Sequence, residues 1–193
     1  MPVPRTLVNV WPHLADRYSD DRPGRHNAMC WPMVMGLFGD AAAVARRADL
    51  LDRTLVDLEN LVGHSGGRYD EVYNARTGEP DGGWQTGRRW DSEPDQTWSA
   101  TAFLRLIHLG VLGLGPTPRG LRIQPLLPSG LDAVSISGLR YADALLDLEV
   151  VGEGSRVVSL ESDGRSLPPA EPLVLEEGRN RVRVEVAPAA RRA

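Results

Sequence analysis

The chain has 193 residues, 41% of them hydrophobic, and a formal net charge of −4. This content is enough to bury a core in one domain or two small ones, and the acidic balance gives no basic field that would attract nucleic acid. No apolar run reaches the roughly 18 residues of a membrane span and the N-terminus carries no signal pattern, so we expect a cytoplasmic protein without a membrane or nucleic acid partner.

Cys30 is the single cysteine of the chain. One cysteine excludes an intramolecular disulfide and any multi-cysteine metal site, and the apolar neighbours of Cys30 predict a buried structural thiol. His13, His64 and His108 are scattered without the spacing of metal ligands. We therefore expect neither a metal site nor a cofactor.

Helical periodicity dominates the first part of the chain. A short helix is predicted over about residues 27–37, with Gly36 and Gly39 marking a bend. Asp40 suits the N-cap of a second helix ending at Gly63, because its carboxylate can accept from the free amides of a first turn. The apolar stripe of this second helix steps by three or four residues, as in an amphipathic outer helix. It consists of Val44, Ala48, Leu51, Leu55, Leu58 and Val62.

A third helix is predicted after Ser92, which can cap it, with Pro94 in its first turn. Apolar residues occur on nearly all sides from Trp98 to Gly110, which indicates an enclosed helix. An amphipathic outer helix paired with an enclosed inner helix is typical of a two-layer helical barrel, and helical bundles also contain such pairs.

The pattern changes to alternation after Gly115. The sequence from Ser162 to Arg165 is a strong hairpin turn, and residues 181–186 alternate strictly, like a strand with one wet face. Several short strands with such turns indicate a small antiparallel β-sandwich, so we divide the chain into residues 1–115 and 116–193 and predict an α+β protein. No catalytic grouping is apparent in the second part. The predicted strands cover residues 121–126, 133–139, 144–151, 157–162 and 181–186.

The segment between the second and third helices, about residues 63–91, has no helical period. Loops this long inside a compact domain are uncommon and tend to be functional. Carboxylates can move protons, aromatic rings can stack on sugars, and amides and guanidinium groups can hold hydroxyls. The segment supplies all three types, as a carbohydrate site requires; the alternative is a solvated loop whose tryptophans pack against the helices. The residues concerned are Asp70, Glu71, Tyr73, Asn74, Trp84, Gln85, Arg88, Arg89 and Trp90.

Several segments resemble six-hairpin glycosidases, namely glycoside hydrolase family 63 and the related mannosylglycerate hydrolase-like and glycogen-debranching proteins. Residues 71–78, Glu-Val-Tyr-Asn-Ala-Arg-Thr-Gly, resemble their Glu-x-Tyr-Asn-Pro-x-Thr-Gly segment, with Ala for Pro. Residues 23–32 resemble their His-Asn-Gly-x-x-Trp-Pro segment, with Ala for Gly, and residues 96–100 resemble their Gln/Phe-x-Trp-Ser-Ala helix. Residues 120–128 resemble the entry to the C-terminal β-domain of glycoside phosphorylases.

This resemblance implies the last helices of an (α/α)6 toroid, a partial barrel, followed by the β-domain. It implies an inverting glycoside hydrolase for α-linked glucosides or related oligosaccharides, in which Glu71 is the general base that activates water. The general acid of such barrels comes from an earlier hairpin that is not seen here, so we expect the chain to be catalytically incomplete alone. The residues implied to line the sugar site are His26, Asn27, Trp31, Tyr73, Trp84, Gln85, Arg88 and Trp90.

Two alternatives stay open. A glycoside phosphorylase would lack the carboxylate base at position 71 but could bind phosphate through Arg88 and Arg89. A non-catalytic carbohydrate-binding or assembly fragment would need its apolar faces covered, either by a separately encoded N-terminal barrel partner or by self-association.

Overall fold

The described chain combines three α-helices with eleven β-strands, which confirms the α+β class. The computed structural model describes residues 22–26 and 28–188. The helices are Pro32–Val44 (α1), Ala48–His64 (α2) and Thr97–Arg105 (α3), and α3 continues into a π-helical turn, Leu106–Val111. The strands are Met29–Cys30 (β1), Tyr73–Asn74 (β2), Trp84–Gln85 (β3), Arg88–Arg89 (β4), Leu114–Thr117 (β5), Gly120–Ile123 (β6), Ala133–Tyr141 (β7), Ala144–Gly152 (β8), Arg156–Ser162 (β9), Arg165–Leu167 (β10) and Gly178–Ala187 (β11).

These elements form two compact units that interleave along the chain. Among the described residues, the first unit contains those that precede Ala42 together with Arg53–Leu106, and the second contains Ala42–Asp52 together with those that follow Leu106. Each of the first two helices therefore contributes to both units.

The break between α1 and α2 differs from the prediction. Asp40 lies inside α1 and does not cap a helix; its carboxylate instead pairs with Arg105 of α3. The chain turns at Arg46, which has a left-handed backbone (φ 55°). The predicted stripe is therefore interrupted, so that Leu51 and Leu58 are buried whereas Val44 is 85% exposed.

Gly36 permits the close packing of α1 on α3. A Cβ atom at this position would lie 3.0 Å from both Cα and Cβ of Ala102. The prediction of a bend at Gly36 is therefore wrong, since the absence of a side chain here allows two helices to approach each other.

The third helix is neither enclosed nor capped as predicted. Ser99 and Ala102 are buried, whereas Trp98 and Leu104 are 45% and 52% exposed. Gln96 occupies the N-cap position without a capping side-chain hydrogen bond.

Five strands of the second unit form one mixed sheet in the order β10-β9-β11-β8-β7. The predicted hairpin is confirmed, because β9 and β10 pair antiparallel around Asp163 and Gly164, whose φ angles are 48° and 79°. The expectation of a purely antiparallel sheet is wrong, because β11 runs parallel to β8 and antiparallel to β9. β11 enters between two earlier strands, and its alternation buries one row of side chains. This row is Asn180, Val182, Val184 and Val186.

Within the second unit, Arg46 links the turn between α1 and α2 to two loops of the β-strand region. Its guanidinium group donates to the carbonyl oxygens of Gln124 at 2.9 Å and Pro125 at 2.7 Å, and also to that of Ser155. Burial lowers the pKa of Arg46 from its ordinary value. One side chain thus satisfies three backbone acceptors in loops of this unit.

Within residues 22–26 and 28–188, no helix combines the length and the apolar character that a membrane span requires.

Candidate functional site

The segment between α2 and α3 is ordered by short backbone ladders. β2 pairs with β1, which precedes α1, and β3 pairs with β4. The turn between β3 and β4 has positive φ angles at Thr86 (52°) and Gly87 (81°), as a type I′ turn requires. Backbone pairing therefore orders much of a segment that has no helical period in its sequence, and it brings the residues before α1 beside this segment.

Asn74 organises the turn that follows Glu71. Its Oδ1 accepts hydrogen bonds from the backbone N–H groups of Arg76 and Thr77, at 2.9 and 3.3 Å. The N–H of Gly78 donates to the Asn74 carbonyl at 2.8 Å, and Gly78 has a left-handed φ of 79°. Glycine adopts this conformation without a steric penalty. The Asn-to-Gly part of the resembling segment therefore serves backbone shape.

Glu71 is a nearly buried carboxylate with a fixed backbone. Its side chain is 10% exposed, and Oε2 accepts a hydrogen bond from Nη2 of Arg25 at 2.5 Å. The N–H of Glu71 donates to the Glu93 carbonyl at 2.7 Å. Ser92 Oγ accepts from the N–H of Val72 at 3.0 Å and donates to its carbonyl at 2.7 Å. The hydrogen bond with Arg25 is made through Oε2, one of the two carboxylate oxygens of Glu71.

Arg25 is held as firmly as the carboxylate it pairs with. It is 8% exposed, and Nη1 donates to the carbonyl oxygen of Gly82 at 2.9 Å. The guanidinium carbon lies 5.2 Å from the ring centroid of Trp31 and 5.7 Å from that of Trp90. Trp31 Nε1 donates in turn to the Arg25 carbonyl at 2.9 Å. Buried charges need such partners, because an unpaired charge in an apolar environment is costly.

The predicted tryptophans lie around this ion pair, and they differ in how far they are buried. Trp31 is buried in a small core with Met29 and Val72, whereas Trp84 and Trp90 are partly exposed. Trp84 is joined to Arg25 through the backbone, since its carbonyl accepts the Arg25 N–H at 3.0 Å. Each of these rings also contacts a side chain that is cationic or can become so. The pairs are His26 with Trp31 (5.7 Å between centroids), Arg22 with Trp84 (5.0 Å) and Arg88 with Trp90 (3.8 Å).

Trp90 carries an unsatisfied donor. Its Nε1 atom is shielded from solvent and has no hydrogen-bond acceptor among the described residues. Leaving a buried donor unpaired costs about 1–3 kcal/mol.

The remaining predicted residues do not all face the site. Tyr73 has no exposed surface, which leaves none for contact with a sugar, and burial raises the pKa of its hydroxyl. Asp70, one of the acidic residues of this segment, is 2% exposed. Gln85 lies partly buried on β3, and Asn27 falls outside the described residues. The structure therefore groups Glu71 with Trp31, Trp84, Trp90, His26 and Arg88, and it adds Arg25 and Ser92, which the sequence interpretation missed.

The second unit contains a shallow cavity of about 550 Å³ on the exposed face of the five-stranded sheet. Charged residues of β8 and β11 dominate its lining, among them Asp147, Glu149, Arg181 and Arg183, and no aromatic ring takes part. A sugar would find no stacking surface there. Over the described residues, no group of three or more His, Cys, Asp or Glu side chains is arranged to hold a metal ion.

No protein-family model matches the chain, and no curated protein matches it.

Proposed function

We propose that this chain is a carbohydrate-active protein, part or all of an inverting glycoside hydrolase that acts on α-linked glucosides or related oligosaccharides. Glu71 is the general base. The observation that carries the proposal is the environment of this carboxylate. It is nearly buried, and its Oε2 is held by Arg25, whose guanidinium group lies beside the rings of Trp31 and Trp90. The resemblance of residues 71–78 to the glycosidase segment supports the same assignment. Under this proposal, α1–α3 are helices of an (α/α)6 toroid.

The geometry suits base catalysis in three respects. One carboxylate oxygen is occupied by Arg25, and the other is left to take a proton from a water molecule that attacks the anomeric carbon. The partly exposed rings of Trp84 and Trp90 offer apolar faces for a sugar. Glu71 is only 8% exposed, and shielding from water strengthens each polar interaction with a substrate.

An inverting reaction also requires a carboxylic acid about 6.5–9.5 Å from the base to protonate the leaving oxygen. No residue is assigned to that role. Fluoride leaves a glycosyl carbon without protonation, so a glycosyl fluoride tests the base and the sugar site independently of the acid.

The experiment is hydrolysis of α-D-glucosyl fluoride, followed with a fluoride electrode and by proton NMR of the first anomer formed. We expect release of the β-anomer by the wild-type chain and loss of release in Glu71→Gln. Glu79→Gln is the matched control, because Glu79 lies eight residues away in an exposed position beside His64 (3.4 Å). In Glu71→Ala, added azide should restore turnover and give β-glucosyl azide, since azide needs no base.

Fluoride release that survives Glu71→Gln would remove Glu71 as the base. First formation of the α-anomer would refute inversion. A wild-type chain inert towards both α-glucosyl and α-mannosyl fluoride would refute the hydrolase proposal for this chain.

A second candidate, a non-catalytic assembly module, is favoured by one observation. Large apolar side chains are exposed on α1 and α3, including Leu37 (58%), Leu104 (52%) and Trp98 (45%). Such exposure is typical of surfaces that meet another protein. Analytical ultracentrifugation would separate the two cases: a monomer that cleaves the fluoride excludes an obligatory partner, and an inert chain that self-associates favours the module.

A further inference from the structure

Arg25 forms an ion pair with Glu71. It also donates to the Gly82 carbonyl and lies beside the rings of Trp31 and Trp90. From these contacts we infer that Arg25 is a positioning residue: it holds Oε2 of Glu71 so that Oε1 alone serves as the base. This inference rests on the proposed function of Glu71 and adds a residue to it.

Arg25 and Glu71 are 46 positions apart in the sequence, and both are buried. Local sequence therefore does not bring them together; the β1–β2 ladder and the bond from the Arg25 N–H to the Trp84 carbonyl do. The fold builds a dedicated location for this guanidinium group.

Both Nη atoms of the Arg25 guanidinium group make directed hydrogen bonds. Nη2 donates to Glu71 at 2.5 Å, while Nη1 donates to the Gly82 carbonyl at 2.9 Å. A planar group with two directed contacts has one orientation, whereas the ammonium group of lysine is a point charge on a flexible stem. The contacts with the rings of Trp31 and Trp90 restrict the plane further.

The backbone that carries the Gly82 carbonyl, just before β3, packs closely against neighbouring carbonyl groups. A Cβ atom at Gly82 would lie 2.3 Å from the carbonyl oxygens of Trp90 and Asp91, and at Gly83 it would lie 2.9 Å from the Pro23 carbonyl oxygen. Only glycine allows the backbone to close so tightly beside Arg25. The adjacent glycines are therefore packing positions that fix the second acceptor of the guanidinium group.

The contacts of Arg25 determine how the Glu71 carboxylate is placed for catalysis under the proposed function. Effective base catalysis requires an ionised carboxylate held within a fraction of an ångström of its productive position. A directed hydrogen bond from a guanidinium group fixes the orientation of a carboxylate. Loss of orientation affects the chemical step more than substrate binding, so kcat should fall while KM changes little.

The test uses the full chain, α-D-glucosyl fluoride and the variants Arg25→Lys, Arg25→Ala and Glu71→Gln. We expect Arg25→Lys to retain its circular dichroism spectrum while kcat falls about 100-fold with little change in KM. Guanidinium chloride at low concentration should restore part of the kcat of Arg25→Ala and none of that of Glu71→Gln. The control is Arg53→Ala, because the Arg53 side chain is 70% exposed and 3.8 Å from Asp57 on α2.

The outcomes distinguish the inference from the function on which it rests. If Glu71→Gln is inactive and Arg25→Lys keeps the wild-type kcat, the positioning role is refuted and the base assignment stands. If Arg25→Ala does not fold, the folded lysine variant still decides. If the wild-type chain releases no fluoride, both proposals fall together.

Discussion

The phenol oxygen of Tyr73 accepts a hydrogen bond from the backbone N–H of Asp70, 2.9 Å away and three residues earlier in the chain. The same hydroxyl contacts the carbonyl of Arg68 at 3.3 Å and Ser65 Oγ at 3.2 Å. A side chain thus closes the short segment that carries Glu71, and it does so from a fully buried position.

Tyr73→Phe should therefore destabilise the chain by about 1–3 kcal/mol, because the buried N–H of Asp70 loses its acceptor. Chemical denaturation followed by circular dichroism measures the change. Tyr141→Phe is the control, since Tyr141 is partly exposed at the end of β7. Equal effects of the two substitutions would contradict the role given to the Tyr73 hydroxyl.

Gly82→Ala should be more damaging than Gly87→Ala, although Gly82 has the more ordinary backbone. A Cβ at Gly82 would overlap two carbonyl oxygens at 2.3 Å, whereas a Cβ at Gly87 (φ 81°) would meet no atom within 4 Å. We expect more than about 2 kcal/mol for the first change and about 1 kcal/mol for the second. Thermal unfolding of both variants provides the measurement, and a reversed order would disprove the tight closure of this hairpin.

Arg46→Met should lower the free energy of unfolding by about 1.5–3 kcal/mol, because three carbonyl groups lose a charged donor while most of the apolar stem is kept. Arg47→Met is the neighbouring control. Arg47 pairs with Asp49 on the surface, and both side chains are more than half exposed. Urea titrations of both variants should show a shift only for Arg46; a shared shift would mean that the effect arises from the turn in general.

Cys30 should be inert in the folded chain and should make stability sensitive to alkali. Burial raises the pKa of this thiol from 9.0 to about 12. The unfolded thiol therefore ionises first, and its stabilising contribution is present below pH 9 and is lost as the pH rises towards 12. A disulfide reagent such as Ellman's reagent should react slowly at pH 8 without denaturant and quickly in urea.

The matched variant for this prediction is Cys30→Ala. Its stability should begin to fall only at a higher pH, where Tyr73 contributes, because burial also raises the pKa of that hydroxyl from 10.0. Rapid labelling of the native wild-type chain, or identical pH profiles for the two proteins, would contradict the assignment.

The strands were more predictable than the connections between elements. Alternation identifies β11 because its inward residues are apolar or fully hydrogen-bonded, as Asn180 is with Glu176 and Gly178. Nothing in that alternation states which neighbours a strand acquires, so the parallel pairing with β8 was not foreseen. Local pattern fixes the face of a strand, whereas its partners depend on competition among all strands.

The helix errors share one physical cause. Asp40 has the chemistry of an N-cap, but its long-range pairing with Arg105 decides its role. Gly36 has the chemistry of a bend, but the approach of Ala102 decides its role. In both positions a contact about 65 residues away outweighs a local preference of roughly 1 kcal/mol.

Only part of the candidate site could be predicted from the sequence. Glu71 and the tryptophans belong to residue types that sugar chemistry requires, and they lie close together in the chain. Arg25 differs because its importance arises from a carboxylate 46 residues later. Its position inside the resembling segment of residues 23–32 was the available signal, and a search for cations that could neutralise Glu71 would have considered it.

The insertion of β11 between β8 and β9 imposes an order on the biogenesis of this unit. During synthesis β8 and β9 are made before the strand that will separate them, so each has an open edge until residues 178–187 emerge. Pairing over such sequence distances is slow, and unpaired edges recruit strands from other molecules. Nascent or truncated chains ending before Gly178 should accordingly depend on chaperones far more than the finished polypeptide does.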